Sequence, residues 1–265
     1  MITAAAQSGD VGWLGLATSL ALVAIAVGIS RWQQLGLERS MVWASIRALA
    51  QLLAVGGILT VIIDPHAPIA LSWLWVVFMV GFAAVTIRQR APEIPSIALL
   101  SLLSIGLATT VSLAIIFGLG IFPISGQTVV PVAGLIVGNS LAATVVGARR
   151  VIGELADKRP EVEARLALGQ PWQDASRPYV RSALRTAMIT QIETTKAVGL
   201  VLLPGTMTGL ILAGVDPVGA VLVQAAVMFL ILGSVATTAT VIALGLTRRL
   251  FTSDHRLVRL PRPAA

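Results

Sequence analysis

Glu161-Val-Glu163-Ala164-Arg165-Leu-Ala-Leu168-Gly169-Gln-Pro171-Trp172-Gln-Asp-Ala175-Ser176-Arg177-Pro178-Tyr179-Val-Arg181-Ser-Ala-Leu-Arg185 departs from everything around it. Its neighbours are apolar enough for lipid, whereas this stretch is charged. It still keeps Leu168, Trp172, Ala175 and Tyr179 at i, i+4, i+7 and i+11, which predicts one apolar face on a helix or a pair of short helices. Pro160 suits a first helical turn, Gly169 a C-terminal stop, and Pro171 follows that stop. Ser176 is placed to cap a second helix with Pro178 in its first turn. The expectation is a helical hairpin outside the bilayer with Trp172 near the bend. Two readings stay open: a solvated loop packed on the membrane surface, or a docking element for a soluble partner.

Composition sets the frame. Of the 265 residues, 56% are hydrophobic and 12% charged, against about 25% charged in globular proteins. Mean hydropathy is +0.90. These values indicate an integral membrane protein. The absence of cysteine removes disulfides and thiolate metal ligands. The net charge of +7 fits basic cytoplasmic loops better than nucleic acid. Met1–Asp10 has no basic region, so no cleaved signal peptide is expected.

A bilayer core takes about 20 mainly apolar residues per helix. Seven stretches qualify: 11–30, 41–63, 69–87, 97–119, 129–148, 195–214 and 218–246. The fold class expected is an all-α integral membrane protein, with 1–265 as one permease domain and 149–194 as its cytosolic region. Nearly all Lys and Arg fall in 31–40, 88–96, 149–194 and the tail from 248. The positive-inside rule then puts the N-terminus outside, and the C-terminus and the hairpin in the cytoplasm. The outer connections carry Asp10, Asp64, His66 and Asp216, either as solvated loop residues or as a weak cation-attracting vestibule. The tail, with Arg248, Arg249, Arg256, Arg259 and Arg262, is expected against anionic headgroups.

Polar groups inside the spans are costly and mark candidate sites. Arg47 and Gln51 share a face of span two; Arg47 either snorkels to the cytoplasmic surface or faces the bundle interior. In span five, after Pro131, Gly134 and Gly138 form a close-approach pair, and Asn139 is either glue between helices or a pathway residue. Glu193 and Lys196, three apart, form either a structural ion pair or an entry site. Pro204-Gly205 should kink or break span six, and Gly205 with Gly209 adds a second close-approach pair. Broken helices at membrane depth often mark transport sites.

Glu163-Ala164 followed by Gly169 resembles the EAA motif of ABC transporter permeases, the cytosolic loop that engages the ATPase. Further pieces point the same way: Arg47-Ala-Leu-Ala-Gln51-Leu, Pro131-x-x-Gly134-x-x-x-Gly138-Asn139, Leu203-Pro204-Gly205-Thr-Met207-Thr208-Gly209 and Ala213-Gly214-Val-Asp216-Pro217. Together they resemble the FetB (YbbM-like) family of ABC permeases, bacterial iron-export permeases related to plant aluminium-tolerance proteins. Thr206 stands where that family usually has Met. The resemblance implies a homodimeric permease of the bacterial inner membrane. A cytosolic FetA-like ATPase would supply the ATP and Mg chemistry, and iron or a related metal would be exported. Glu163, Ala164, Leu168, Gly169 and Trp172 become ATPase-coupling candidates, with Leu168 and Trp172 as the apolar dock. Arg47, Gln51, Asn139, Glu193, Pro204, Gly205 and Thr208 become translocation-path candidates.

The chain has no Gly-x-x-x-x-Gly-Lys-Ser/Thr loop and no site for a cofactor of its own, so it is expected not to be an enzyme by itself. The alternatives are an ATP-independent carrier or channel, which would need more intramembrane carboxylates than Glu193, and a non-transporting anchor subunit. The metal ligands are unknown. His66 and His255 lie outside the expected spans, which leaves oxygens of Gln51, Asn139, Gln191, Glu193 or Thr208 for a hard cation. A chelated metal or another small solute fits as well.

Overall fold

The structure, a computed structural model, describes residues 13–94, 96–200, 202–252, 254 and 256–258. Asp10, Val11, His255, Arg259 and Arg262 lie outside the described residues. The described residues are helical, with no strand beyond two isolated backbone bridges. By internal contacts the chain divides into two units, Met1–Ala67 and Pro68–Ala265.

The first unit is a hairpin of α1 (Trp13–Trp32) and α2 (Glu38–Ile62). Its turn is built by Gln34 and Gly36 at positive φ. The buried Ser30 hydroxyl closes it, donating to Glu38 Oε1 at 3.0 Å and accepting from the Leu37 N–H at 3.3 Å.

The second unit holds α3 (Ile69–Arg90), α4 (Ile97–Gly118), α5 (Gly126–Asp157), α6 (Arg159–Ala167), α7 (Trp172–Ala197), α8 (Gly205–Leu212) and α9 (Pro217–Leu250). It is organised on α5 and α9. α9 packs on α4, α5 and α7, and α5 also packs on α3, α4 and α7. Local chemistry starts both central helices. Ser125 and Thr128 form a reciprocal capping box on α5. Asp216 caps α9, accepting from the N–H groups of Val218 at 3.1 Å and Gly219 at 3.2 Å, with Pro217 in the first turn. Asp216 is thus a cap, and Asp64 is a turn-former that accepts from the His66 N–H at 2.7 Å. Asp64 and Asp216, the described acidic residues of the connections expected outside, both have local structural work.

The close approaches coincide with the expected glycine pairs only at Gly134. A Cβ on Gly245 would meet Leu100 Cδ2 at 2.9 Å, and one on Gly147 would meet Ala187 Cβ at 3.7 Å and Ile242 at 3.8 Å. A Cβ on Gly134 would meet Met79 Cε at 3.2 Å, but one on Gly138, Gly205 or Gly209 would meet nothing within 4 Å. Among the described residues, six helices are long and apolar enough to cross a membrane: α1, α2, α3, α4, α5 and α9.

The expected sixth span, 195–214, is not one helix. α7 ends at Ala197, and Gly199 takes φ +94°. A tight loop follows in which the Gly199 N–H donates to the Leu202 carbonyl at 2.9 Å. Pro204 then starts the eight-residue α8. Mean hydropathy counts these residues as a span; the left-handed glycine and the proline prevent the helix from continuing. The expected fifth span errs in the opposite direction. α5 runs past Arg149-Arg150 to Asp157, because Val151, Ile152 and Leu155 keep its apolar face buried.

Candidate functional site: a clamped hairpin joined to a polar cleft

The hairpin is α6, a turn at 168–171, and α7. Pro160 occupies the first turn of α6, and Gly169, at φ +86°, ends it. Ser176 does not cap α7. The helix starts five residues earlier in sequence order, counting its N-cap at Pro171, so Ser176 is buried within it and Pro178 is interior. The buried face is Val162, Ala175, Tyr179, Val180 and Ala183, packed with Ile152 and Leu155 of α5 and with Leu246 and Leu250 of α9.

Polar contacts hold the two arms together. The Tyr179 hydroxyl donates to Glu161 Oε2 at 2.9 Å, and Lys158 Nζ donates to Glu161 Oε1 at 2.9 Å. Hydrogen bonds from Lys158 and Tyr179 hold the Glu161 carboxyl below its ordinary range. The Lys158 ammonium is raised by its hydrogen bond to Glu161. Burial, and then the bond to Glu161, pushes the Tyr179 phenol up.

The start of the tail straps the hairpin. Phe251 stacks on Trp172 with ring centroids 5.5 Å apart. Leu257 is buried and bridges back to Phe251, and Arg159 Nη2 donates to the Leu257 carbonyl at 3.1 Å. Trp172 is therefore half-buried and anchors the strap, rather than projecting with Leu168. Leu168 lies in the turn, off the helical face, and is 83% exposed. Glu163, bonded to Arg159 at 2.6 Å, and Ala164 and Gly169 share the exposed side of this tip.

At its other end α7 forms one wall of a cleft of about 320 Å³. Asn139 of α5 and Thr190, Gln191 and Thr194 of α7 supply its polar groups, and Met228, Ile231 and Val235 of α9 its apolar wall. The levels of these residues place the break in α7 well inside the α9 span. Asn139 donates to the Leu135 carbonyl of its own helix at 2.7 Å, and among the described residues it has no hydrogen bond to another helix. Its neighbour Ser140 does, accepting from the Thr238 hydroxyl at 3.2 Å across the α5–α9 contact. Such bonds are worth about 0.6 kcal/mol in membrane proteins.

A family model described as an uncharacterised protein family, UPF0014, matches residues 13–251. The chain belongs to the UPF0014 family. It is 34% identical over 244 residues to the Escherichia coli protein described as "Probable iron export permease protein FetB", covering 92% of this chain and 93% of that one. It is 37% identical over 226 residues to the rice "UPF0014 membrane protein STAR2", covering 84% and 78% of the two chains. To "Protein ALUMINUM SENSITIVE 3" of Arabidopsis thaliana it is 32% identical over 230 residues, covering 86% and 83%. No solved structure matches the chain.

In this UPF0014 chain the remaining candidates divide plainly. Glu193 pairs with Lys196 at 2.9 Å, both exposed. Thr208 donates within its own turn, to the Gly205 carbonyl at 3.0 Å, and with Pro204 and Gly205 it belongs to the broken segment rather than to the cleft lining. Arg47 and Gln51 belong to the first unit, exposed on α2 and without a hydrogen-bond partner among the described residues. Among the described residues no group of three or more His, Cys, Asp or Glu could hold a metal ion. The cleft residues Thr190 and Thr194 escaped sequence reading. Their signal was the run Thr190-Gln191-x-x-Thr194, which repeats a polar group every turn of α7.

Proposed function

We propose that this chain is the permease subunit of an ABC transporter of the bacterial inner membrane, exporting iron or a related metal species with a separate, FetA-like cytosolic ATPase. Residues 1–265 act as one permease, with the N-terminus outside and the C-terminus in the cytoplasm. The names of its relatives support the class, and the basic loops support the orientation.

The observation that carries the reading is the continuity of α7. One 26-residue helix, about 39 Å long at 1.5 Å per residue, starts beside the exposed Leu168 and ends at the cleft. Between them, Ala187 meets Gly147 of α5 with no large side chain interposed, which suits a fulcrum. ATP-driven closure of the partner on Leu168 would swing the cleft wall about that point, a coupling between two states. Gln191 and Thr194, with Asn139, offer neutral oxygens, and the C-terminal end of α7 adds partial negative charge at membrane depth. That setting suits a metal species that keeps ligands of its own. A second permease copy, as in other ABC transporters, would cover the broken segment 198–204.

The test is Leu168→Asp in a reconstituted complex of permease and ATPase. The variant should stay folded in the membrane and lose at least about tenfold of its stimulation of ATP hydrolysis, the loss of one apolar hot spot. Unchanged stimulation and metal transport would refute the reading. Gly169→Arg is less clean, because a side chain at φ +86° is strained on its own account.

A further inference from the structure

A groove of about 510 Å³ lies between the first half of α7 and the last turns of α9. Its floor is apolar: Val180 and Leu184 of α7 and Leu244 of α9. Its rim carries the guanidinium groups of Arg177, Arg181 and Arg248. Some arginines of this unit are paired: Arg149 with Glu93 at 3.0 Å, Arg159 with Glu163 at 2.6 Å, Arg150 with Glu154 at 3.8 Å. The three rim arginines have no ion pair or hydrogen bond among the described residues. Asp174, also at the rim, is exposed and pairs with none of them.

Depth decides what chemistry meets this rim. Gly245 packs against Leu100, one turn inside α4, and α4 begins just after the charged 88–93 connection. Leu244 therefore lies at the inner edge of the hydrocarbon. Arg248, one turn further along α9, lies at headgroup level. The same level is reached on α7, where Ser182 donates to Glu154 at 3.3 Å, close to Arg181. Apolar floor and cationic rim thus straddle the boundary of the bilayer in the order of a phospholipid's own parts.

We propose that this groove binds one anionic phospholipid, with its phosphodiester on Arg177, Arg181 and Arg248 and an acyl chain along Leu184 and Leu244. Planar guanidinium forks suit phosphate oxygens, and unpaired cations beside an apolar surface favour an anionic headgroup over a zwitterionic one. The groove belongs to this chain whatever docks on Leu168, so it does not rest on the ATPase partnership. A lipid there touches Trp172 and lies against both α7 and α9, and would stiffen the hairpin.

The test is native mass spectrometry of the purified chain with phosphatidylglycerol and phosphatidylcholine at equal concentration. Wild type should retain a single phosphatidylglycerol, preferred over phosphatidylcholine by about tenfold. Arg177→Gln/Arg181→Gln/Arg248→Gln should abolish that preference. Arg31→Gln/Arg39→Gln/Arg88→Gln, which removes the same charge elsewhere, should keep it. Leu244→Trp, which fills the groove without touching a charge, should lower retention and so answers for the case in which the triple variant misfolds. Equal loss in both triple variants, full retention in Leu244→Trp, or displacement of the lipid by millimolar inorganic phosphate would each overturn the proposal. The last result would mean a free oxyanion site.

Discussion

The clamped hairpin and the broken segment 198–216 adjoin along one chain, yet they are built in opposite ways. The hairpin is complete within its own unit: a buried face on α5 and α9, a Tyr179–Glu161–Lys158 clasp, and a strap through Phe251 and Leu257. The broken segment buries none of its described residues. Leu200 is 96% exposed and Leu212 80%, and α8 packs mainly on α9. Irregular backbone at membrane depth is tolerated only where protein or a water-filled cavity covers it. The hairpin is thus a finished part that could carry force as proposed, and the segment has the surface expected of a part covered from outside the chain.

The largest expected effect separates the two regions by stability. Phe251→Ala, which removes a buried ring stacked on Trp172, should cost about 3–5 kcal/mol. Leu212→Ala, in the exposed α8, should change the isolated chain by no more than about 0.5 kcal/mol. Thermal unfolding of both variants in detergent checks the contrast, and equal losses would break it. Next, Gly245→Val forces two methyl groups toward Leu100 and should destabilise by about 1–3 kcal/mol. The same change at Gly209, with nothing within 4 Å, should be far milder in the same melt.

Those glycines also show where the sequence was readable. The Gly-x-x-x-Gly spacing marks helices able to approach closely, but which face meets a neighbour is a tertiary fact. So Gly134 is marked and is tight, Gly205 and Gly209 are marked and stand open, and Gly245 carries no such spacing and is the tightest. The apolar runs of α1 to α4 and α9 were legible within a few residues, because each ends at Arg, Pro or Gly. α5 outran its expected end because Val151, Ile152 and Leu155 continue its buried face between charges. Asn139 lines the cleft, while the interhelical bond expected of it is made by Ser140, one residue round the helix. The helical spacing puts Trp172 on the apolar face with Ala175 and Tyr179, and the resemblance makes it a dock; the stack with Phe251, far off in sequence, gives that face no local signal.

The smallest effect is a pH dependence confined to the hairpin. The Glu161 carboxyl is held low, so its contribution is present above the ordinary carboxylate range and is lost as pH falls through its depressed value. The group is exposed, so the loss should be slight. Hydrogen exchange of α6 amides should quicken on acidification below that range, and Tyr179→Phe should shrink the difference. Exchange in 198–204 should show no matching pH step, since none of its residues titrates there.

The central claim is that the tip at Leu168 faces the cytoplasm and receives an ATPase. Because the chain has no cysteine, Leu168→Cys gives one unique thiol. An impermeant maleimide should label it in inside-out vesicles and not in intact cells, and bound ATPase should protect it. Labelling from the exterior, or undiminished labelling with the ATPase bound, would contradict the account.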